Sequence, residues 1–119
     1  YYRHVFINKK QLNTIHKLGH TIGLHSHSHP TVISNLNYKN QLAEFSKNKN
    51  MFSKILNCSK KEFKSMSHPC GRYNSDTIRV LKKLNIDIGF IATMNDKINS
   101  KSFRYNMPRQ DHADIIKRL

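Results

Sequence analysis

The most informative part of this sequence is the run His25-Ser26-His27-Ser28-His29-Pro30. Three imidazoles within five residues, closed by a proline, are hard to explain by packing. On a helical turn, His25 and His29 share one face with their Cβ atoms about 5–6 Å apart, so both imidazoles can reach one ion. In an extended chain, His27 joins them on the same face. Both geometries predict a metal site, and they differ on His27. The alternative is a solvated polar loop that is rich in histidine.

Helices and strands are predicted to alternate around this run. The predicted helices begin after a capping box at Asn8, at Tyr38, at Asn74 or Ser75, and at Asp111 with Asp114. The predicted strands cover 5–7, 21–24, 63–67, 86–93 and 103–107. Leu12, Ile15 and Leu18 form the apolar stripe of the first helix, which ends at Gly19. The charged and amide residues of the helix that begins at Tyr38 are interpreted as a solvated face.

This alternation favours an α/β fold with a parallel sheet. In such sheets and barrels, functional residues gather where the strands end. The C-terminal ends of the predicted strands carry His25, Pro69-Cys70-Gly71, Thr93 and Arg109-Gln110-Asp111. The topology therefore predicts that these segments lie at one edge of the sheet.

Two motifs resemble those of the polysaccharide deacetylases, carbohydrate esterase family four. The stretch Gly19-His20-Thr21-Ile22-Gly23-Leu24, together with the histidine run that follows it, is similar to the second motif, H-[S/T]-x-x-H-[P/S]. Ser67-His68-Pro69-Cys70-Gly71 is similar to the third motif, R-x-P-[Y/F]-G, with Ser67 and Cys70 at the arginine and aromatic positions. The resemblance extends to about Thr93. It implies a partial distorted (β/α) barrel with parallel strands.

The resemblance also implies roles for particular residues. It assigns His25 and His29 as ligands of a divalent metal, with Zn²⁺ as the first choice, and the Cys70 backbone N–H as a donor to the oxyanion. Because that donor is main chain, loss of the aromatic side chain need not remove it. A bound metal lowers the pKa of water and polarises a carbonyl, as hydrolysis of an unactivated amide requires. The implied substrate is an N-acetylated glycan or sugar.

The family's third metal ligand and its general base are the difficulty. The resemblance places both on adjacent aspartates before the histidines, and no Asp or Glu precedes Glu44 in this chain. A catalytic zinc normally has three protein ligands and a water. We therefore expect either a chain that begins after that motif or a degenerate member. Asp111 is a candidate base or ligand, with a helix N-cap as the simpler role. His112 and His68 are candidate acids, with an ordinary surface or turn histidine as the alternative for each.

Composition sets the remaining bounds. The 119 residues suffice for one domain, 1–119, which we interpret as incomplete at its N-terminus. No apolar run approaches the roughly 20 residues of a membrane span. No signal peptide is recognisable either, so the compartment is not fixed and the cytoplasm is only slightly favoured. Cys58 and Cys70 are not predicted to need a disulfide, since nothing in the sequence brings them together.

Basic residues dominate the charge. Lys and Arg number 21 against seven acids, a net charge of +14, which suggests an anionic partner. The lysines are scattered among asparagines without interleaved aromatic residues, which argues against a specific nucleic-acid interface.

The sequence therefore predicts a metal-dependent hydrolase that removes N-acetyl groups from a carbohydrate. One alternative is a catalytically inactive, carbohydrate-binding relative. A second alternative is a basic nucleic-acid-binding module with incidental histidines, whose binding would weaken steeply with salt. The particular sugar and the oligomeric state are not fixed by the sequence.

Overall fold

The computed structural model describes residues 6–92, 103–110 and 115–117. Its helices are α1 (Lys9–Lys17), α2 (Tyr38–Leu56) and α3 (Ser75–Lys83), and its strands are β1 (Ser65–Ser67) and β2 (Ile88–Phe90). Short 3₁₀ turns cover Ile33–Asn35, Lys60–Glu62, Pro69–Gly71 and Phe103–Tyr105. In the part of the chain that is described, none of the helices is both long and apolar enough to span a bilayer.

The predicted capping box begins α1. The Asn8 side chain accepts from the Gln11 N–H at 2.9 Å, and the Gln11 side chain accepts from the Asn8 N–H at 2.9 Å. Gly19 has a φ of +89°, which suits the left-handed residue after a helix end. The predicted stripe is wrong at Leu18, which caps the helix and is 72% exposed. α1 therefore packs weakly, with Leu12 against the core and no fully buried residue.

Four segments run parallel at the centre of the fold. β1 pairs with β2 in the register Met66 to Gly89. Leu24 forms a parallel bridge to Met66 on one side, and Met107 forms a parallel bridge to Phe90 on the other. The spatial order is thus Leu24, β1, β2, Met107, which confirms a partial parallel α/β architecture.

Several predicted strands are shorter than expected. The strand predicted over 21–24 is reduced to the Leu24 bridge, and those over 63–67 and 86–93 become β1 and β2. Phe6 and Ile7 are exposed and lie outside any strand, because no strand among the described residues pairs with them. Val5 and Thr93 lie outside the described residues, as do Asp111 and Asp114 of the predicted last helix.

The strand predicted over 103–107 is wrong except at Met107. Phe103–Tyr105 form a 3₁₀ turn that closes with a 3.2 Å bond from the Asn106 N–H to the Phe103 carbonyl. The Asn106 side chain then donates to the Tyr73 hydroxyl at 2.9 Å. These bonds curl the segment, so only Met107 reaches β2.

The core lies between the parallel segments and the helices. Its buried members are apolar side chains of α2, α3, β1 and the connecting segments: Leu24, Ile33, Phe45, Leu56, Phe63, Met66, Val80, Leu81 and Ile86. Thr77 is also buried, and its hydroxyl donates to the Gln41 side-chain oxygen at 2.6 Å. α2 and α3 pack on each other. Their buried side chains, such as Phe45 and Val80, form one core with Leu24 and Met66 of the parallel segments.

The polar residues of α2 are not all solvated, which corrects the sequence interpretation. Gln41, Asn48 and Lys49 are buried. Lys49 Nζ donates to the Leu84 carbonyl at the end of α3 at 2.6 Å, where the helix leaves unpaired acceptors. Burial, followed by the charge of Lys64, lowers the pKa of Lys49.

Candidate metal and active site

The histidine run begins directly at the edge where the parallel segments end. The Leu24 N–H donates to the Ser65 carbonyl and the Ser67 N–H to the Leu24 carbonyl, both at 2.9 Å. His25 is the next residue, and the Pro69–Gly71 turn follows β1 at the same edge. The predicted juxtaposition of these two segments is therefore present.

His25 and His29 are brought together. Their ring centroids lie 4.8 Å apart at an interplanar angle of 62°, and both side chains are exposed. His25 Nδ1 lies 2.8 Å from the Ser67 carbonyl oxygen, which can only accept, so Nδ1 carries the proton. This leaves the lone pair of Nε2 available, and a carbonyl partner of this kind is typical of a metal-binding histidine.

The loop that carries these rings is neither a plain helical turn nor an extended strand. Ser26 has a φ of +65° and His29 a φ of +53°. The Ser26 hydroxyl accepts from the His29 N–H at 3.1 Å, which closes the curl. Such left-handed non-glycine residues are uncommon and cluster at functional sites.

His27 lies on the other side of this loop. Its half-buried ring lines a cavity with residues of α2, among them Ala43 and Met51. The curl thus separates His27 from the ring pair of His25 and His29, as the helical alternative would and the extended one would not.

Two side chains of α2 hold the loop, and sequence reasoning missed both. Glu44 Oε2 accepts from the N–H groups of His27 and Ser28 at 3.2 and 2.9 Å, and Asn48 Oδ1 accepts from the His25 N–H at 3.1 Å. Burial alone raises the pKa of Glu44, but the bonds from Ser28 and His27 outweigh it and the net pKa is lowered. The one available signal was that Glu44 is the first acid in the chain.

The Pro69–Gly71 turn exposes the predicted oxyanion donor. Its two 3.0 Å bonds use the N–H groups of Gly71 and Arg72, and the described residues offer no acceptor to the Cys70 N–H. Cys70 is exposed with a φ of +51°. A free main-chain donor in a tight turn suits an oxyanion.

His68 is a structural residue in this arrangement. It is 2% exposed, stacks on Tyr73 at 4.9 Å between ring centroids, and its Nε2 lies 2.6 Å from the Tyr105 carbonyl oxygen. Burial lowers its pKa; the bond to Tyr105 opposes this shift and the nearby His25 adds to it. Burial therefore disfavours the charged form of the ring, and the bond to Tyr105 joins the end of β1 to the 3₁₀ turn before Met107.

Arg109 places a cation beside Ser67, which stands at the arginine position of the third motif. Its Nη1 donates to the Ser67 hydroxyl at 3.1 Å. Arg109, Ser67 and His25 line a cavity of about 450 Å³ together with Phe90. A guanidinium thus lies next to the position at which the family motif has arginine.

The donor set fits part of a zinc site. His25 and His29 supply two imidazoles, and no further His, Cys, Asp or Glu joins them among the residues that the structure describes. Zinc accepts imidazole nitrogen readily, and a catalytic ion takes a third protein ligand. Asp111 and His112, the candidate base and acid, lie outside the described residues.

The family model for polysaccharide deacetylases matches residues 2–89. No curated protein sequence matches the chain. Among solved structures, Streptococcus pyogenes deacetylase PplD in complex with acetate aligns with a TM-score of 0.74 at 21% identity, over 88% of this chain and 45% of that one. A de-N-acetylase from Aggregatibacter actinomycetemcomitans aligns with a TM-score of 0.70 at 19% identity, over 98% of this chain and 55% of that one.

A third solved structure is a mutant of BA3943, a CE4 family pseudoenzyme with restored enzymatic activity. It aligns with a TM-score of 0.59 at 16% identity, over 66% of this chain and 28% of that one. At these identities the likeness shows the fold alone. The chain spans about half the length of the first two solved relatives. The match of the family model over 2–89, together with the motif residues at the sheet edge, shows that the chain belongs to the polysaccharide deacetylase family.

Proposed function

We propose that residues 1–119 form part of one catalytic domain that removes N-acetyl groups from a carbohydrate with the help of a divalent metal, zinc being the first choice. The observation that carries this proposal is the ring pair at the sheet edge. His25 and His29 lie 4.8 Å apart, and the bond from His25 Nδ1 to Ser67 directs Nε2 away from the sheet backbone. Such a pair of oriented imidazoles supports metal binding.

Each part of the site has a role in amide hydrolysis. When bound, the metal would lower the pKa of a water and polarise the acetyl carbonyl. The Cys70 N–H donates to the oxygen on which negative charge develops. Glu44 and Asn48 keep the histidine loop in the shape that brings His25 and His29 together.

We further assign Arg109 as a positioning residue. In the family, the arginine of the third motif pairs with the catalytic base, and Ser67 occupies that position here. The bond from Arg109 to Ser67 supports the view that Arg109 provides the guanidinium from another segment. A planar guanidinium orients a carboxylate through two parallel bonds, which a lysine does not reproduce.

Metal retention tests the ligand assignment without any activity. The protein is loaded with zinc, passed through a desalting column and analysed for bound metal. His25→Ala and His29→Ala should each lose the ion held at this loop, whereas His27→Ala is the matched control and should retain it. Because zinc needs neutral imidazole, retention should also fall on acidification. Equal loss from all three substitutions would instead support a three-histidine site.

Acetate release from an N-acetylglucosamine oligomer tests the reaction. We expect residues 1–119 alone to release none, since the carboxylates of the described residues supply neither a third ligand nor a base beside the ring pair. A longer chain with two adjacent aspartates on a strand before Tyr1 should release acetate in a chelator-sensitive way. Chelator-sensitive release by residues 1–119 would show that a residue within them supplies the base, with Asp111 the first to substitute.

The second candidate function is glycan binding without catalysis. It is favoured by the same lack of a third ligand at His25 and His29 among the described residues. Under this alternative, the longer chain would bind the oligomer at moderate salt and release no acetate at any metal concentration.

A further inference from the structure

A second group of metal-ligand side chains lies away from the histidine loop. His16 is on α1, Cys58 follows α2, and Glu62 ends the Lys60–Glu62 turn. One ligand atom from each lies within 4.8 Å of the others, and His16 Nε2 and Glu62 Oε2 are 3.4 Å apart. Neither motif of the family includes these residues.

The spacing is close to that of a tetrahedral zinc site. With bonds of about 2.0–2.1 Å to nitrogen and oxygen and 2.3 Å to one sulfur, neighbouring ligand atoms stand about 3.3–3.6 Å apart. His16 and Glu62 already meet this distance. Since all three atoms lie within 4.8 Å of one another, the remaining adjustment is about 1 Å.

Two of the three ligand residues are also held by bonds to neighbouring residues. The Cys58 N–H donates to the Ser53 carbonyl at 3.1 Å, and the Ser53 hydroxyl donates to the Cys58 carbonyl at 2.6 Å. Glu62 Oε1 accepts from the Ser59 N–H at 3.0 Å, which leaves Oε2 for another partner. The bonds to Ser53 and Ser59 would remain when a metal replaces the contact between His16 and Glu62.

We propose that His16, Cys58 and Glu62 form a second, structural zinc site that fastens α1 to the end of α2. α1 has no fully buried residue, so a metal bound there would add stability that packing does not supply. His16 and Glu62 also line a cavity of about 290 Å³ with His20, which would leave room for a water to complete the coordination. Cys58 loses its thiol proton to solvent as the bond from sulfur to zinc forms.

Cobalt substitution separates this site from the histidine loop. The metal-free, reduced protein is titrated with Co²⁺, and absorbance is followed in the near-ultraviolet, where a thiolate ligand gives a charge-transfer band and imidazole or carboxylate ligands do not. We expect the band in the unchanged protein, in Cys70→Ser as the matched thiol control, and in the double variant His25→Ala/His29→Ala. We expect its loss in Cys58→Ser. Absence of the band in the unchanged protein, or its loss in Cys70→Ser, would overturn the proposal.

Two further variants keep the test decisive if Cys58→Ser fails to fold. Glu62→Gln keeps an oxygen that accepts from Ser59, so the turn is preserved, and His16→Ala changes only the far ligand on α1. Each should raise the cobalt concentration for half-saturation of the band at least about tenfold. In the His25→Ala/His29→Ala background, zinc should raise the melting temperature, and His16→Ala should remove that rise. An unchanged titration curve in both variants would refute a metal site here.

Discussion

Glu44→Ala measures how strongly α2 holds the histidine loop in its metal-binding shape. The Glu44 carboxylate accepts two backbone N–H groups, from His27 at 3.2 Å and Ser28 at 2.9 Å. Hydrogen bonds to a charged group contribute about 1.5–3 kcal/mol each when shielded. Because Glu44 is partly exposed and the longer bond is weak, we discount the pair together to about 1.5–2 kcal/mol.

The expected result is weaker metal binding with the fold retained. If the loop loses this support in the metal-free protein, the ion must restore its shape on binding. At about 1.4 kcal/mol per factor of ten, the zinc affinity of the loop should fall by about 10- to 30-fold. Glu44→Gln keeps one acceptor oxygen, so its zinc affinity should lie between those of the unchanged protein and Glu44→Ala. The assay is competition with a chromophoric chelator in the Cys58→Ser background, which isolates the loop.

Acid adds a second readout of the same contact. The bonds from Ser28 and His27 outweigh burial and lower the pKa of Glu44 below its ordinary 4.5. A carboxylate with a lowered pKa stabilises the fold fully above its unfolded value and loses this effect as pH falls through its folded value. The stability difference between the metal-free protein and Glu44→Ala should therefore close below pH 4.5. An unchanged zinc affinity in folded Glu44→Ala would refute the reasoning.

Three further predictions concern the framework, each measured by urea unfolding. Phe45→Ala should cost about 3–5 kcal/mol, because the ring is fully buried in the core; a cost under about 1 kcal/mol would contradict this burial. Gly89→Ala should cost about 1–3 kcal/mol, since its Cβ would lie 2.5 Å from the Tyr105 carbonyl oxygen. In the control Gly23→Ala the closest atom to the new Cβ is the movable Ser65 hydroxyl at 3.1 Å, and the backbone of Ser65 lies at 3.7 Å or beyond, so the cost should be smaller. Burial lowers the pKa of His68 in the folded protein. As pH falls below 6.5, the unfolded chain therefore binds a proton at His68 more readily than the folded chain does, and the metal-free protein should lose stability. His68→Gln should flatten this loss, and an equal slope in both proteins would exclude His68 as its source.

The sequence by itself determined the features that depend on neighbours in the chain. The Asn8 capping box, the end of α1 at Gly19 and the extent of α2 are local and were predicted, and the cap of α3 is at Asn74, one of the two residues predicted for it. The parallel α/β order also followed, because alternating strands and helices leave few other arrangements. Motif spacing singled out His25 and His29, whose role as metal ligands stays a prediction, and Cys58 and Cys70 are free in the structure.

Only the tertiary structure decided which polar side chains support the site and which of the predicted strands form. Gln41, Asn48 and Lys49 read as a solvated face, since periodicity cannot show that α3 and the histidine loop pack over them. A strand exists only where a neighbour pairs with it, so Leu24 and Met107 remain as single bridges. The separation of His27 from its neighbours depends on the left-handed residues Ser26 and His29, in a loop whose Ser28 N–H is held by Glu44 from 16 positions away. Contacts between residues so far apart in the chain leave no local sequence pattern, so they can be recognised only in the folded structure.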